Sequence, residues 1–183
     1  MNTEPSPATG ALTVDIQIAC EEPLVPPRAQ LSLWARTGYL CEQPVEVTLR
    51  LVSPEESADL NHRYRGKDRP TNVLSFPFEA PPGMTLPLLG DLVICADVVA
   101  REALAQSKPL AAHWAHMVIH GMLHLQGHDH EEPDQADAME ALEVRLLQTL
   151  GLPDPYLSDD TGNGDSPSLS NPDNRKERES PHE

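Results

Sequence analysis

Residues 109–130 read PLAAHWAHMVIHGMLHLQGHDH, and the arrangement of the rest of the chain turns on how this stretch is read. A long helix is expected from about Pro109 to Gln126, and Gly127 can take the left-handed conformation that ends it. His120 and His124, four apart, would then stack on one helix face with Cβ atoms about 5–6 Å apart, close enough to share a metal ion. Beyond Gly127 the chain turns back, and His130 can supply a third imidazole. Three neutral imidazoles with a fourth position left to water is a known open zinc geometry. The competing reading is a pair of hydrogen-bonded core histidines. Six of the eight histidines lie between His113 and His130, a clustering that makes the spacing easier to reach by chance; the glycine between the second and third histidines sharpens the signal. The expectation is one zinc ion held by His120, His124 and His130.

The remaining residues of the stretch are assigned smaller roles. His116, four before His120, is expected in the core or at the surface, with support of a ligand as the alternative. His113 is expected to face solvent. His128 could compete for the metal, and Asp129 could orient a ligand imidazole or accept a proton. The spacing H-x-x-x-H-x-x-G-x-x-H is that of the metzincin proteases, in which glutamate directly follows the first histidine as general base. Here that position is Gly121. A glycine cannot take a proton from water, so the peptidase reading keeps the metal cage and loses its base.

Outward from this stretch, two segments alternate apolar and polar residues: Leu12 to Ala19, with Leu12, Val14, Ile16 and Ile18 on one side, and Val45 to Leu51. Both read as half-buried strands. A helix-like stretch between them runs from Pro26 and Pro27 to Arg36. Ser53-Pro54 looks like an N-cap with proline at the first helical position, opening a helix to about Arg63. Thr71–Phe78 is a third strand candidate that Pro77 assigns to an edge or an end. Leu89–Cys95 is the fourth strand candidate, and its continuous apolar run, Leu92–Cys95, suits a buried position. Asp97 can cap a helix through Gln106, and a last helix is expected from Pro133 to Leu150. The fold class is therefore α+β: one domain with a small mixed four-stranded sheet, about five helices and the zinc site on a central helix. Its expected organisation is a flexible N-terminus over 1–11, a domain over 12–157 and a disordered acidic tail over 158–183.

A chain of 183 residues suits one buried core. No apolar run approaches the ~18–20 residues that a membrane span requires, and the first residues lack the pattern of a signal peptide. A cytoplasmic location is expected. Cys20, Cys41 and Cys95 form no C-x-x-C pair and are expected to be small core residues in a reducing compartment. The net charge of −16 argues against a general nucleic-acid coat. A basic segment from Arg63 to Arg69 stands out against it, and such a strip can hold a phosphate backbone with salt-dependent affinity.

Three ordered blocks then become recognisable. His120-Gly121-x-Leu123-His124-Leu125-x-Gly127-x-Asp129-His130 resembles the YbeY family of bacterial endoribonucleases and rRNA maturation factors. So do Tyr64-Arg65-Gly66-Lys67-Asp68 with Pro70-Thr71-Asn72-Val73-Leu74-Ser75-Phe76-Pro77, and Leu89-Gly90-Asp91-Leu92. One position departs: His128 stands where the family usually has tyrosine. The resemblance covers roughly residues 44–156. It implies zinc on His120, His124 and His130, cleavage of single-stranded RNA, and roles in small-subunit (16S) rRNA maturation and ribosome quality control. It also implies a functional arginine at Arg65, and partners in the small ribosomal subunit and assembly factors. The candidate catalytic residues are Arg65 and His120. Arg63, Arg65, Lys67 and Arg69 are candidate RNA contacts, with a solvated loop as the plainer alternative. Two rival functions stay open: a non-catalytic, zinc-stabilised ribosome assembly factor, and a metallopeptidase.

Overall fold

A computed structural model describes residues 11–128 and 131–157. Most of the expected N-terminal arm, the expected acidic tail, Asp129 and His130 lie outside the described residues. The elements run β1 (Leu12–Ala19), α1 (Arg28–Gly38), β2 (Val45–Val52), α2 (Pro54–Arg65), β3 (Val73–Pro77), β4 (Leu88–Cys95), α3 (Ala96–Ala105), α4 (Leu110–Leu125) and α5 (Pro133–Thr149), with a 3-10 turn at Glu22–Leu24. This is the expected mixed four-stranded sheet with five helices. The strand order is β1-β2-β4-β3. β1, β2 and β4 are parallel, and β3 pairs antiparallel to β4 at the sheet edge. Pro77 thus ends an edge strand, where its missing N–H disturbs no ladder. The apolar run of β4 lies between two neighbours, as a doubly buried strand should.

Register sorts the side chains into rows. Ile16, Leu49 and Leu92 align across the sheet, as do Ile18, Leu51, Ile94 and Val73. This face is covered by α1 and α4, and its rows join Trp114, Ile119 and Met122 in the main core. The other face is divided. Leu60 of α2 packs with Phe76 and Val98 against Leu74, Val93 and Cys95. Toward β1 the same face is polar, with Gln17, Thr48 and Arg50 in neighbouring positions and Arg50 paired to Glu56 at 2.8 Å. α2 and α4 therefore lie on opposite faces of the sheet.

Local chemistry explains most element ends. Ser53 Oγ accepts the Glu56 N–H at 3.3 Å, and Pro54 opens α2 as expected. That helix continues two residues beyond the expected end, to Arg65, because Gly66 supplies the left-handed cap at φ 68°. Asp97 does not cap α3. The helix starts at Ala96 directly after β4, and Asp97 pairs instead with Arg101, 3.1 Å away on the next turn. Of the cysteines only Cys95 is buried; Cys41 is exposed and Cys20 lies between, so the core assignment holds for one of the three.

At Gly90 the β2–β4 register slips, and the backbone adopts φ 144°. A Cβ there would stand 2.3 Å from the Phe76 carbonyl oxygen. Gly90→Ala is expected to lower stability by roughly 2–4 kcal/mol, combining backbone strain with overpacking. Urea unfolding monitored by circular dichroism checks this; an unchanged midpoint would contradict the close approach.

Candidate metal centre

Helix α4 carries four histidines, His113, His116, His120 and His124, at spacings of three and four that align them along one side. Successive ring centroids are 6.3, 6.1 and 4.6 Å apart. The row passes from buried to partly open. His113 is 3% exposed and His116 7%, whereas His120 and His124 are half-buried. His113 was expected to face solvent and does not. It packs beneath α3, where its Nε2 meets Glu102 Oε1 at 3.1 Å, and Asn72 Nδ2 donates to the same carboxylate at 3.1 Å. The hydrogen bond from His113, foremost, and that from Asn72 hold the Glu102 pKa below its ordinary value against the burial that raises it.

The next two histidines meet a carboxylate that sequence reasoning missed. Glu143, on α5, is fully buried. Its Oε2 contacts His116 Nε2 at 3.0 Å, its Oε1 is hydrogen-bonded to His120 Nδ1, and the Tyr156 hydroxyl donates to Oε2. Burial is the largest single influence on this group and raises its pKa. The three hydrogen bonds, from His116, His120 and Tyr156, together outweigh it and bring the pKa down to about 2. Burial, foremost, and the hydrogen bond to the same carboxylate raise the Tyr156 pKa. His116, His120 and Glu143 offer ligand atoms that all lie within 4.8 Å of one another, a group that could hold a metal ion. No spacing rule connects Glu143 with a histidine 23 positions earlier; only the packing of α5 on α4 brings them together.

On the opposite side of the His120 ring a second convergence occurs. His120 Nε2 and His124 Nε2 are 3.1 Å apart. Two imidazole nitrogens bound tetrahedrally to zinc at ~2.0–2.1 Å stand about 3.3 Å apart, so this pair is already close to a shared-ligand geometry. The third expected ligand, His130, and the candidate base Asp129 lie outside the described residues. The turn leading to them is defined. Gly127 sits at φ 90°, its N–H bonds the His124 carbonyl at 3.0 Å, and the His128 N–H bonds that of Leu123 at 3.1 Å. Gln126 anchors this turn to α1, accepting the Leu40 N–H at 2.8 Å and donating to the Gly38 carbonyl at 2.7 Å. Among the described residues, the clustered metal-ligand atoms do not include His128.

Gly121 has a steric reason to be glycine. A Cβ there would meet Leu92 Cδ2 at 2.7 Å and Val73 Cγ2 at 3.3 Å. Position 121 faces the sheet, and a glutamate would be driven into β4 rather than toward the histidines. The basic residues divide differently from the expected strip. Arg63 pairs with Asp59 at 3.2 Å within α2, Arg65 ends that helix, and Lys67 and Arg69 follow in the loop. All four are exposed, across the sheet from α4 and beside edge strand β3, where Tyr64 packs edge-on against Phe76. On the other side of that edge, Ser75 Oγ lies 3.5 Å from the Gly121 carbonyl.

The family model described as endoribonuclease YbeY matches residues 30–151. The chain belongs to the YbeY family. The match runs from within α1 to just past α5 and takes in Arg65, His116, His120, His124 and Glu143. Among solved structures, this chain is similar to the solution structure of TM1509 from Thermotoga maritima, at 24% identity and a TM-score of 0.47, covering 84% of this chain and 100% of that one. In this YbeY-family member, no helix among the described residues is long and apolar enough to cross a membrane.

The Glu102 contact yields a pH prediction. Its pKa is lowered on folding, so it contributes stability above the unfolded glutamate value, and that contribution disappears as pH falls through the lowered folded value. Glu102→Gln should therefore be destabilising at pH 7, and the difference from the native chain should shrink steadily below about pH 4.3. Thermal melts from pH 7 to pH 3 check this; a pH-independent difference would contradict it.

Proposed function

We propose that this protein is a zinc-dependent endoribonuclease that cuts single-stranded RNA and acts in cytoplasmic maturation of small-subunit (16S) rRNA and in ribosome quality control. The observation that carries the reading is the 3.1 Å approach of His120 Nε2 to His124 Nε2 in a chain of the YbeY family. In this reading His120, His124 and His130 hold one zinc ion, and when bound the ion supplies Lewis acidity toward a phosphodiester. The chain's own groups do the rest. The buried half of the histidine row anchors the ligands, and Gln126 holds the turn that leads to His130. Arg65 offers a planar fork for a non-bridging phosphate oxygen.

Edge strand β3 makes the last role sterically reasonable. It separates the α2 terminus from α4, and an edge has no further strand to block a nucleic-acid chain laid along it. Arg63, Lys67 and Arg69 would add phosphate contacts, so binding should weaken with salt despite the acidic remainder of the chain. Selectivity for single strands fits a site that grips backbone at an edge. The small ribosomal subunit and its assembly factors are the partners this function requires. The peptidase reading is opposed by Gly121, which supplies no carboxylate where that mechanism needs a base and whose Cβ would crowd Leu92 on the sheet.

Purified full-length protein should cleave single-stranded RNA in preference to duplex. His124→Ala should lose both zinc and cleavage. Arg65→Ala should retain zinc and lose about 10²–10³ in kcat, the usual cost of removing one charge-stabilising donor. An oligonucleotide blocked by 2′-O-methyl at the scissile ribose distinguishes water from 2′-hydroxyl attack. If all preparations cut alike, the activity belongs to a contaminant and the assembly-factor function takes its place.

A further inference from the structure

We infer that Glu143 is a positioning residue: it fixes His120 as the Nδ1–H tautomer and so presents the unprotonated Nε2 to the metal shared with His124, without itself being a ligand. This rests on the proposed zinc site, and it assigns the carboxylate a role different from direct ligation by His116, His120 and Glu143.

The geometry separates the two possibilities. An ionised carboxylate only accepts hydrogen bonds, so each of its three partners must donate. His116 therefore gives its Nε2–H, Tyr156 its O–H and His120 its Nδ1–H. A neutral imidazole carries one proton. With that proton held on Nδ1, His120 Nε2 has only its lone pair to offer, and it is this atom that lies 3.1 Å from His124 Nε2. A metal among His116, His120 and Glu143 would have to displace the protons that satisfy a fully buried carboxylate, in a position closed to substrate. A metal on the Nε2 side leaves those bonds intact and lies toward the half-exposed end of the row. Carboxylate support of a ligating imidazole in this way fixes ring orientation and raises ligand basicity. Tyr156 completes the arrangement from the segment after α5, which is itself tied down by hydrogen bonds from Lys108 to the Pro155 carbonyl and from the Tyr156 N–H to Asp154.

Nitrogen-15 spectra of the metal-free full-length chain, at a pH where its imidazoles are neutral, read the tautomer directly. His120 is expected as Nδ1–H, and finding it as Nε2–H overturns the inference with no variant required. Zinc affinity is then measured by chelator competition. Glu143→Gln cannot accept on both sides and should weaken zinc about 10–100-fold, with the His120 resonances changed. His116→Gln keeps a donor toward Glu143 and should retain one zinc within a few-fold. If His116→Gln abolishes zinc binding as completely as His120→Ala, or if Glu143→Gln binds zinc as the native chain does, the positioning role is wrong. None of these readouts involves RNA, so a chain that cleaves no RNA defeats the proposed function while leaving this inference standing.

Discussion

A carboxylate removed wholly from water must be surrounded by donors, because an uncompensated buried charge costs several kcal/mol. Glu143 meets that requirement with groups from two separate places, the middle of α4 and the segment after α5. The requirement has architectural force. It sets the register of α5 against α4, since sliding one helix by a turn would strand the charge. It also draws residues 152–157 back over the end of the histidine row. Hydrophobic contacts of Met139 and Leu147 supply packing along the same helix, but apolar contacts alone specify register weakly. The hydrogen-bonded charge turns an adaptable interface into a defined one, with the His120 ring clamped as a consequence.

Helix α4 serves several surfaces at once, and its composition follows from that. Its sheet side approaches β4 closely, and a Cβ at position 121 would crowd the Leu92 and Val73 side chains. Its far end is joined to α1 through Gln126, which holds the turn at Gly127 in place. Its third side carries the histidines, graded from buried to half-open. The two inner rings each meet a glutamate, His113 with Glu102 and His116 with Glu143, while the two outer rings converge on each other. Rigidity at one end and accessibility at the other suits the proposed metal site, whose ligands would be held by structure with one side left open.

Much of this architecture was legible in the amino-acid order. Alternation identified β1 and β2, the apolar run marked β4 as a buried strand, and Pro77 marked β3 as an edge or an end. Ser53-Pro54 located the start of α2. These signals are local: each depends on the period of side-chain orientation or on the backbone preference of one or two residues, and both act before any tertiary contact forms. The pairing of His120 with His124 is legible for the same reason, because helix geometry alone places residues four apart on one face. The misreadings were of the other kind. His113 looked solvent-facing and Asp97 looked like a cap, since nothing local reveals that α3 folds over the first or begins directly from a strand.

The sequence by itself therefore determined the elements, their order, the central helix and the histidine pair, all of which follow from short-range stereochemistry. Only the tertiary structure decided that Glu102, Glu143 and Tyr156 are polar partners of that helix, that the arginines and the histidines lie on opposite faces of one sheet edge, and that Gly121 is glycine because Leu92 occupies its space. Those facts concern residues distant in the chain, and a buried charge or a steric clash has no sequence signature until the chain has closed around it.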